Sequence, residues 1–225
     1  AIVLAAGSGK RMNSKVHKQY LIIQDRPVLY YSLKAFEDSA VDEIVLVVGK
    51  GEEKFCRKEI VDKYGISKVK AIVEGGKERY HSVFEGLKQT SDADYVLIHD
   101  GARPFVNQDI IRRCMQEVQK YQACVVGMPV KDTIKIADEE GYAKQTPDRK
   151  NVWMIQTPQT FSYALIYEAY EEMLKTEDTA ITDDAMVLER IKGKKSKLIE
   201  GSYRNIKITT PEDLLIANVY LQHPE

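Results

Sequence analysis

Short runs of apolar residues recur along the chain and alternate with segments of helical periodicity. Five of these runs are continuous rather than alternating, which is typical of strands buried on both faces of a parallel sheet. We therefore predict strands at residues 2–6, 43–48, 70–73, 95–99 and 123–128.

Apolar residues spaced three or four apart indicate helices between and after these strands. Three apolar helical faces are predicted, formed by Leu29, Leu33 and Phe36, by Ile110, Cys114 and Val118, and by Leu214, Ala217 and Leu221. Asn107 is placed to cap the second helix, and Thr210 followed by Pro211 opens the third. This alternation predicts an α/β fold with a single doubly wound, mostly parallel sheet. We expect one domain over residues 1–225.

Residues 131–150 interrupt this alternation because they are mostly polar. The turn signal Asp138-Glu-Glu-Gly141 lies between Ile136 and Tyr142, which predicts a protruding β-hairpin arm. A hairpin has little core of its own to pack on, so we expect the arm to embrace a partner subunit in a homodimer. A surface insertion without a partner is the alternative.

The charge balance limits the partners of the chain. Lys and Arg number 33 and Asp and Glu number 34, so neither a nucleic acid nor an anionic membrane surface is expected as a partner. A small anionic substrate remains open. The three cysteines suit neither a disulfide framework nor a zinc site, which favours a cytoplasmic location. The apolar start is too short to span a bilayer and no basic region precedes it, so we expect no signal peptide.

The first predicted strand leads directly into a glycine-rich loop. Gly7 and Gly9 allow backbone N–H groups to turn toward an anion, and the cations Arg11 and Lys18 follow. The glycine spacing matches neither the Walker A loop nor the dinucleotide-binding fingerprint. On this segment alone, a phosphate-binding loop and a purely structural turn into a helix are equally consistent.

Chemistry-bearing residues also follow the other predicted strands. They lie at residues 75–79 and Ser82, at residues 99–104, and at residues 131–133. Doubly wound sheets bind ligands beyond the carboxyl ends of their strands. Glycines, cations and a lone carboxylate suit a nucleoside triphosphate with Mg²⁺, with Asp100 as the metal ligand. An ion pair between Asp100 and Arg103 is the structural alternative, and His99 is expected to be a strand-end histidine rather than a ligand.

Several motifs together resemble the 2-C-methyl-D-erythritol 4-phosphate cytidylyltransferase family in order and spacing. They are Leu4-Ala-Ala-Gly-Ser-Gly-Lys-Arg-Met12, Lys18-Gln-Tyr20, His99-Asp-Gly-Ala-Arg-Pro104, Lys131-Asp-Thr133, Asp148-Arg149, Thr157-Pro-Gln159, Ile181-Thr-Asp183 and Asn205-Ile-Lys207. The resemblance implies a homodimeric, Mg²⁺-dependent enzyme with a Rossmann-like nucleotidyltransferase fold. Such an enzyme of the non-mevalonate isoprenoid pathway joins CMP from CTP to methylerythritol phosphate.

The resemblance also implies the site residues. The catalytic residues would be Arg11, Lys18, Arg149 and Lys207. CTP would be held by Ala5, Ala6, Gly7, Ser8, Gly9, Gly76, Lys77 and Ser82. The sugar phosphate would be gathered by Asp100, Arg103, Thr133, Thr157 and Thr182, some of them from the partner's arm.

Three of these residues have structural alternatives. Ser82 suits an exposed helical serine, Thr182 suits a helix N-cap, and Lys207 suits the solvent face of a strand-like segment at residues 206–209.

The chain departs from the family pattern in two places. Val16-His17 stands where the family usually has a proline, so we expect a more mobile loop before Lys18. Ser202-Tyr-Arg204 also differs from the expected form. A cytidylyltransferase for another polyol phosphate, such as ribitol 5-phosphate, and a non-catalytic nucleotide-binding module remain as alternatives. A glycosyltransferase is disfavoured because no Asp-x-Asp signature follows a strand.

Overall fold

The computed structural model describes residues 1–7, 17–176 and 180–223. Ser8, Gly9 and Arg11 of the predicted site lie outside these residues. The strands, numbered along the chain, are β1 (Ile2–Ala5), β2 (Ile22–Ile23), β3 (Arg26–Pro27), β4 (Ile44–Val48), β5 (Val69–Glu74), β6 (Tyr95–Asp100), β7 (Ala123–Pro129), β8 (Ile136–Ala137), β9 (Ala143–Gln145), β10 (Trp153–Ser162) and β11 (Lys197–Glu200).

The helices lie between these strands or follow them. They are α1 (Val28–Glu37), α2 (Glu53–Cys56), α3 (Arg79–Leu87), α4 (Gln108–Tyr121), α5 (Tyr163–Met173), α6 (Asp184–Lys192) and α7 (Pro211–Gln222). A π-helical segment, Arg57–Asp62, continues α2, and short 3-10 turns lie at Lys18–Tyr20 and Arg149–Asn151. Within the described ranges, no helix combines the length and apolar character needed to cross a bilayer.

Seven of the described strands form one sheet in the order β11-β7-β10-β6-β1-β4-β5. β1 pairs in parallel with β4 and β6, β4 pairs in parallel with β5, and β7 pairs in parallel with β11. β10 runs antiparallel between β6 and β7. The predicted α/β fold with a mostly parallel sheet is confirmed.

The five predicted strands are all present, as β1, β4, β5, β6 and β7, and their ends differ from the prediction by at most one residue. The prediction missed β10 and β11. β10 carries polar residues that are buried inside the fold, among them Gln156, Thr157, Gln159 and Thr160. A polar run of this kind lacks the apolar signal on which the strand prediction rested.

Helices cover both faces of the sheet, each over its own apolar core. One face packs Leu33 of α1 and Ile110 of α4 against Val3 and Leu46 of the sheet. The other face packs α3, α5 and α6 against neighbouring sheet residues such as Ile2. Adjacent strand residues thus point to opposite cores, as the pleat requires.

The predicted helix starts are largely confirmed. The Asn107 side chain accepts a hydrogen bond from the Ile110 backbone N–H at 3.0 Å, and Thr210 forms a reciprocal capping box with Asp213 at the start of α7. On the predicted apolar face of α7, Ala217 is fully buried, whereas Leu214 and Leu221 are only partly covered.

The predicted hairpin arm is present as the antiparallel pair β8 and β9. Its turn is closed by Asp138, whose Oδ1 accepts hydrogen bonds from the backbone N–H groups of Glu140 and Tyr142 at 3.1 and 2.9 Å. Gly141 has a φ of 88°, the left-handed conformation that glycine adopts without strain. Tyr142 is 70% exposed, so the arm projects from the monomer.

Candidate active site

A cleft of about 480 Å³ lies beyond the carboxyl ends of β1 and β6. Of the predicted site residues, it brings together Ala5, Ala6, Gly7, Lys18, Gly76, Lys77, Ser82, Asp100 and Lys207. Leu4, Gln19, Glu78, Arg79 and Ala102 complete its described lining. Arg103, Thr133, Arg149, Thr157 and Thr182 lie outside that lining. The residues in this lining therefore lie together at the carboxyl ends of the strands, and their nucleotide-binding role remains a prediction.

One wall of the cleft is a close contact between the end of β5 and the start of α3. The Ser82 hydroxyl accepts a hydrogen bond from the Gly76 backbone N–H at 3.1 Å and donates one to the Glu78 carbonyl at 3.2 Å. A Cβ on Gly75 would lie 2.5 Å from the Cβ of Ala6, so this approach requires glycine. Ser82 is buried, and its interpretation as an exposed helical serine is wrong.

The opposite wall carries Lys18 on the 3-10 turn Lys18–Tyr20, which we call the Lys18 turn. Its middle residue, Gln19, is 1% exposed and donates a hydrogen bond from Nε2 to the Ala5 carbonyl at 2.5 Å. This bond ties the Lys18 turn to the end of β1. The Lys-Gln pair was part of the motif, but a structural role for Gln19 was not inferred from it.

Asp100 forms the anionic centre of the cleft. Its carboxylate lies 2.7 Å from Lys207 Nζ, 3.4 Å from Arg79 Nε and 3.8 Å from Arg103 Nε. Burial alone would raise the pKa of Asp100, but Arg79, Lys207 and Arg103 outweigh it and hold that pKa well below its usual range. The predicted pair with Arg103 is therefore the longest of three contacts.

Arg79 joins the cleft to the start of α6, a link that sequence reasoning missed. Its guanidinium donates two hydrogen bonds to Asp184 at 2.7 and 2.8 Å, and Asp184 is 0% exposed. The Tyr170 hydroxyl donates a third bond to the same carboxylate at 2.6 Å. Burial would lower the pKa of Arg79, but Asp184 and Asp100 raise it well above its ordinary value, so the guanidinium stays charged.

A chain of hydrogen bonds lies beneath Asp100. The Asp100 backbone N–H donates to Thr157 Oγ1 at 3.1 Å, and Thr157 Oγ1 lies 3.0 Å from His99 Nδ1. His99 Nε2 lies 3.1 Å from the Arg103 carbonyl, which can only accept, so the ring proton belongs on Nε2. Burial lowers the pKa of His99 to about 4. His99 is thus a neutral strand-end histidine, as predicted, and Thr157 supports Asp100 from below.

Arg103 and Asn205, two further residues of the predicted motifs, meet at the Lys207 side of the cleft. Arg103 donates a hydrogen bond from its guanidinium to the Asn205 carbonyl at 2.7 Å, and burial lowers its pKa. Residues 206–209 do not form the predicted strand, because their sheet-like contact is a single bond from the Ile208 N–H to the Ala102 carbonyl. Lys207 faces Asp100 across the cleft and is not simply a solvent-facing cation.

Thr133, Arg149 and Thr182 are exposed. Arg149 lies at the base of the arm, where its guanidinium donates a hydrogen bond to the Lys131 carbonyl at 2.8 Å. Thr182 is not the N-cap of α6. Asp183 takes that position with an extended backbone, and its Oδ1 accepts the Met186 N–H at 2.9 Å.

The chemistry of the cleft is that of anion binding. Its described lining combines the cations Lys18, Lys77, Arg79 and Lys207 with backbone groups of β1 and α3. The three cysteines are free and buried, and burial raises the pKa of Cys56 to about 11 and that of Cys114 to about 12. Neither of these two thiols is therefore poised as a nucleophile. Among the described residues, no group of three or more His, Cys, Asp or Glu side chains is arranged to hold a metal.

Comparison with known proteins gives a consistent result. Residues 1–223 match the family described as IspD, 2-C-methyl-D-erythritol 4-phosphate cytidylyltransferase. The enzyme of that name from Lachnospira eligens is 54% identical over 224 residues, covering 99% of this chain and 98% of the relative. That from Lachnoclostridium phytofermentans is 51% identical over 222 residues, with 99% and 95% covered.

Solved structures show the same likeness. The 4-diphosphocytidyl-2C-methyl-D-erythritol synthase from Anaerococcus prevotii superposes with a TM-score of 0.87 at 39% identity, covering 99% of this chain and 95% of that one. The Thermus thermophilus cytidylyltransferase gives a TM-score of 0.79 at 30% identity, with 99% and 98% covered. The chain therefore belongs to the 2-C-methyl-D-erythritol 4-phosphate cytidylyltransferase family.

Proposed function

We propose that this chain is the enzyme that transfers CMP from CTP to 2-C-methyl-D-erythritol 4-phosphate, giving 4-diphosphocytidyl-2-C-methyl-D-erythritol and pyrophosphate. The observation that carries the proposal is one cleft at the end of β1 that is lined by Lys18 of the Lys18 turn together with Lys207 and Asp100. Family membership at about half identity over nearly the whole chain supports the same reaction.

The reaction needs charge stabilisation rather than an activated side chain. An oxygen of the acceptor phosphate attacks the α-phosphorus of CTP, and the bond to the bridging oxygen breaks with pyrophosphate as leaving group. The attacking oxygen is already ionised, so no general base is required. Negative charge accumulates at the α-phosphorus, and Lys18 supplies a fixed cation beside it. Arg11 is the second proposed cation and lies outside the described residues.

The nucleotide end of the site is proposed at Ala5, Ala6 and Gly7 and across the cleft at Gly76, Lys77 and Ser82. Ser8 and Gly9, outside the described residues, complete the proposed triphosphate loop. The hydrogen bonds of Ser82 hold the backbone at Gly76 and Glu78 in place, which prepares this wall for a base and ribose.

Mg²⁺ is part of the proposal. Two carboxylates lie in the described lining. Glu78 caps α3, whereas Asp100 lies among the cationic side chains of the cleft. This donor set fits an ion that arrives on the triphosphate, because protein-bound Mg²⁺ is commonly held by one or two carboxylates plus substrate phosphates. Asp100 would be its protein ligand. When bound, the ion offsets the negative charge of the phosphates.

The acceptor end is proposed at Asp100 and Lys207, with Arg103 and Thr157 supporting it. Lys207 would hold the acceptor phosphate while staying within reach of Asp100. The exposed Arg149, together with Thr133 on the arm and Thr182 before α6, would complete this end in a homodimer, with the arm reaching a partner's cleft. The planar guanidinium of Arg149 suits bidentate phosphate recognition.

The three free thiols agree with the cytoplasmic location expected from the sequence.

The test is pyrophosphate release from CTP with Mg²⁺, using methylerythritol phosphate and ribitol 5-phosphate at equal concentrations. We expect turnover with methylerythritol phosphate and little with ribitol 5-phosphate. A preference for ribitol 5-phosphate would contradict the proposed acceptor while keeping the chemistry. CTP binding without pyrophosphate release from either acceptor would contradict catalysis itself.

A further inference from the structure

The Lys18 turn is held by a carboxylate from outside the cleft. Glu52 follows β4 and lies immediately before α2. Its Oε2 accepts a hydrogen bond from the Tyr20 hydroxyl at 2.7 Å, and its Oε1 lies 2.8 Å from His17 Nδ1. One side chain therefore contacts the residues on both sides of the Lys18–Gln19 pair.

Glu52 is itself held in place. Its Oε2 accepts the Gly49 backbone N–H at 3.0 Å. A Cβ on residue 49 would lie 2.7 Å from that oxygen, so glycine leaves the space that the carboxylate occupies. Two oxygens with three neighbours in fixed positions leave Glu52 few alternative rotamers.

Tyr20 transmits this contact to the turn. Burial, together with the neighbouring Cys56 and Glu52, raises the pKa of Tyr20, so it remains a phenol and a hydrogen-bond donor. Its ring packs edge-on against Phe55 at a centroid distance of 5.1 Å, and its hydroxyl lies 3.0 Å from Cys56 Sγ. Gln19 provides the second anchor through its bond to the Ala5 carbonyl. The backbone that carries Lys18 is thus fixed from two sides.

We propose that Glu52 is a positioning residue that sets the place of the Lys18 ammonium beside the reacting phosphate, an inference that rests on the function proposed for Lys18. Lysine has a long, flexible stem, so its ammonium is placed only as well as its backbone is held. A displacement of about 1 Å can cost about 100-fold in rate when a catalytic group must meet a reacting centre. Glu52 lies outside the cleft lining and acts through the turn.

The first experiment compares Glu52→Ala with the parent enzyme in pyrophosphate release. We expect kcat to fall by about 10- to 100-fold while the Kd for CTP, measured by calorimetry, stays within about threefold. Glu59→Ala is the matched control, because Glu59 pairs with Lys58 and Lys63 of its own helical segment. An unchanged kcat in Glu52→Ala would overturn the proposal.

Two milder variants guard against a general loss of folding. Glu52→Gln keeps an oxygen that can accept the Tyr20 and Gly49 donors, so it should retain more turnover than Glu52→Ala. Gly49→Ala should push the carboxylate away and give an intermediate loss at an unchanged Tm. Equal turnover in Glu52→Gln and Glu52→Ala would show that the hydrogen bonds to Glu52 do not matter and would overturn the proposal.

A double-variant cycle separates the inference from the proposed function. If Glu52 acts through Lys18, then Glu52→Ala should cost little further turnover in a Lys18→Ala background. If Lys18→Ala loses turnover and Glu52→Ala adds its full loss on top, the inference alone fails. If Lys18→Ala keeps full turnover, the proposed role of Lys18 fails and the inference falls with it.

Discussion

His99 is a buried, neutral histidine whose two ring nitrogens face Thr157 and the Arg103 carbonyl. Burial lowers its pKa from 6.5 to about 4. Between these pH values His99 binds a proton in the unfolded chain but not in the folded chain. The unfolded state is therefore stabilised relative to the folded state as the pH falls. We expect the free energy of unfolding to fall by about 2 kcal/mol through His99 between about pH 7 and pH 5.

Chemical denaturation at several pH values measures this effect. His99→Gln should flatten the pH dependence, because its amide can donate to the Arg103 carbonyl without titrating. His223→Gln, at an exposed histidine, serves as the control. Coincident pH slopes for His99→Gln and the parent chain would contradict the assignment.

Lys207 is the cation closest to Asp100 and is proposed to bind the acceptor phosphate. Lys207→Ala should raise the KM for the sugar phosphate by about 10- to 100-fold, the value of a charge-assisted hydrogen bond. CTP binding, measured by calorimetry, should persist because the nucleotide end of the cleft is untouched. Lys120→Ala, which removes an exposed lysine paired with Glu117, is the control. Loss of CTP binding in Lys207→Ala would contradict this division of the cleft.

Residue identities predicted the cleft better than they predicted its internal contacts. The motifs visible in the sequence contain three residues of the cleft, Asp100, Lys18 and Lys207. The pairing of Arg79 with Asp184 is invisible in sequence, since it joins residues that only folding brings together. The loop that the missing proline predicted to be mobile lies outside the described residues up to Val16, and its next residue, His17, lies 2.8 Å from Glu52 Oε1. A tertiary contact thus supplies a restraint that local sequence does not show.

At the scale of elements, Arg79 joins the first turn of α3 to the first residue of α6 and to the end of β6. Arg79→Ala would leave the Asp184 carboxylate buried without its cation. We expect a loss of about 3–5 kcal/mol in the free energy of unfolding, measured with denaturant. Arg112→Ala, which breaks an exposed pair with Asp109, should cost about 1 kcal/mol or less. Similar losses in the two variants would contradict this interpretation.

The elements that the sequence revealed were those with apolar periodicity. β1, β4 and β7 are continuous apolar strands, and the buried stripes of α1 and α4 are equally clear. β10 was missed because it carries buried polar side chains, and three of them find hydrogen-bond partners inside the fold: Gln156, Thr157 and Gln159. Gln159, for example, accepts the backbone N–H groups of Asp184 and Ala185 at 2.9 Å each. Such hydrogen-bond partners depend on tertiary structure, so the local sequence pattern does not reveal them.

At the scale of the whole molecule, the exposed arm leads to a prediction about active sites that two subunits would form together. If Arg149 completes a partner's cleft, then Arg149→Ala and Lys207→Ala are defects in different subunits of any one site. At an acceptor concentration well below the KM of the parent enzyme, each variant alone should be nearly inactive. After subunit exchange, an equal mixture should recover about a quarter of the parent turnover, because half of the dimers then hold one intact site.

The matched control mixes Lys207→Ala with Asp100→Asn. Both residues line the cleft of the same subunit, so every hybrid site keeps one defect and no recovery is expected. Light scattering of the parent chain and of each variant tests whether the proposed dimer forms. Recovery in the control, or none in the first mixture, would contradict a site shared through the arm.

The position of β10 between β6 and β7 constrains the order in which the chain can fold during synthesis. β6 and β7 leave the ribosome before β10 does, and each then presents an unpaired edge to the other. Any pairing of β6 with β7 before that point would have to be undone, because residues 153–162 must enter between them. The strand that places Thr157 beneath Asp100 is therefore also the one that covers the facing edges of β6 and β7, which until then can associate with other chains.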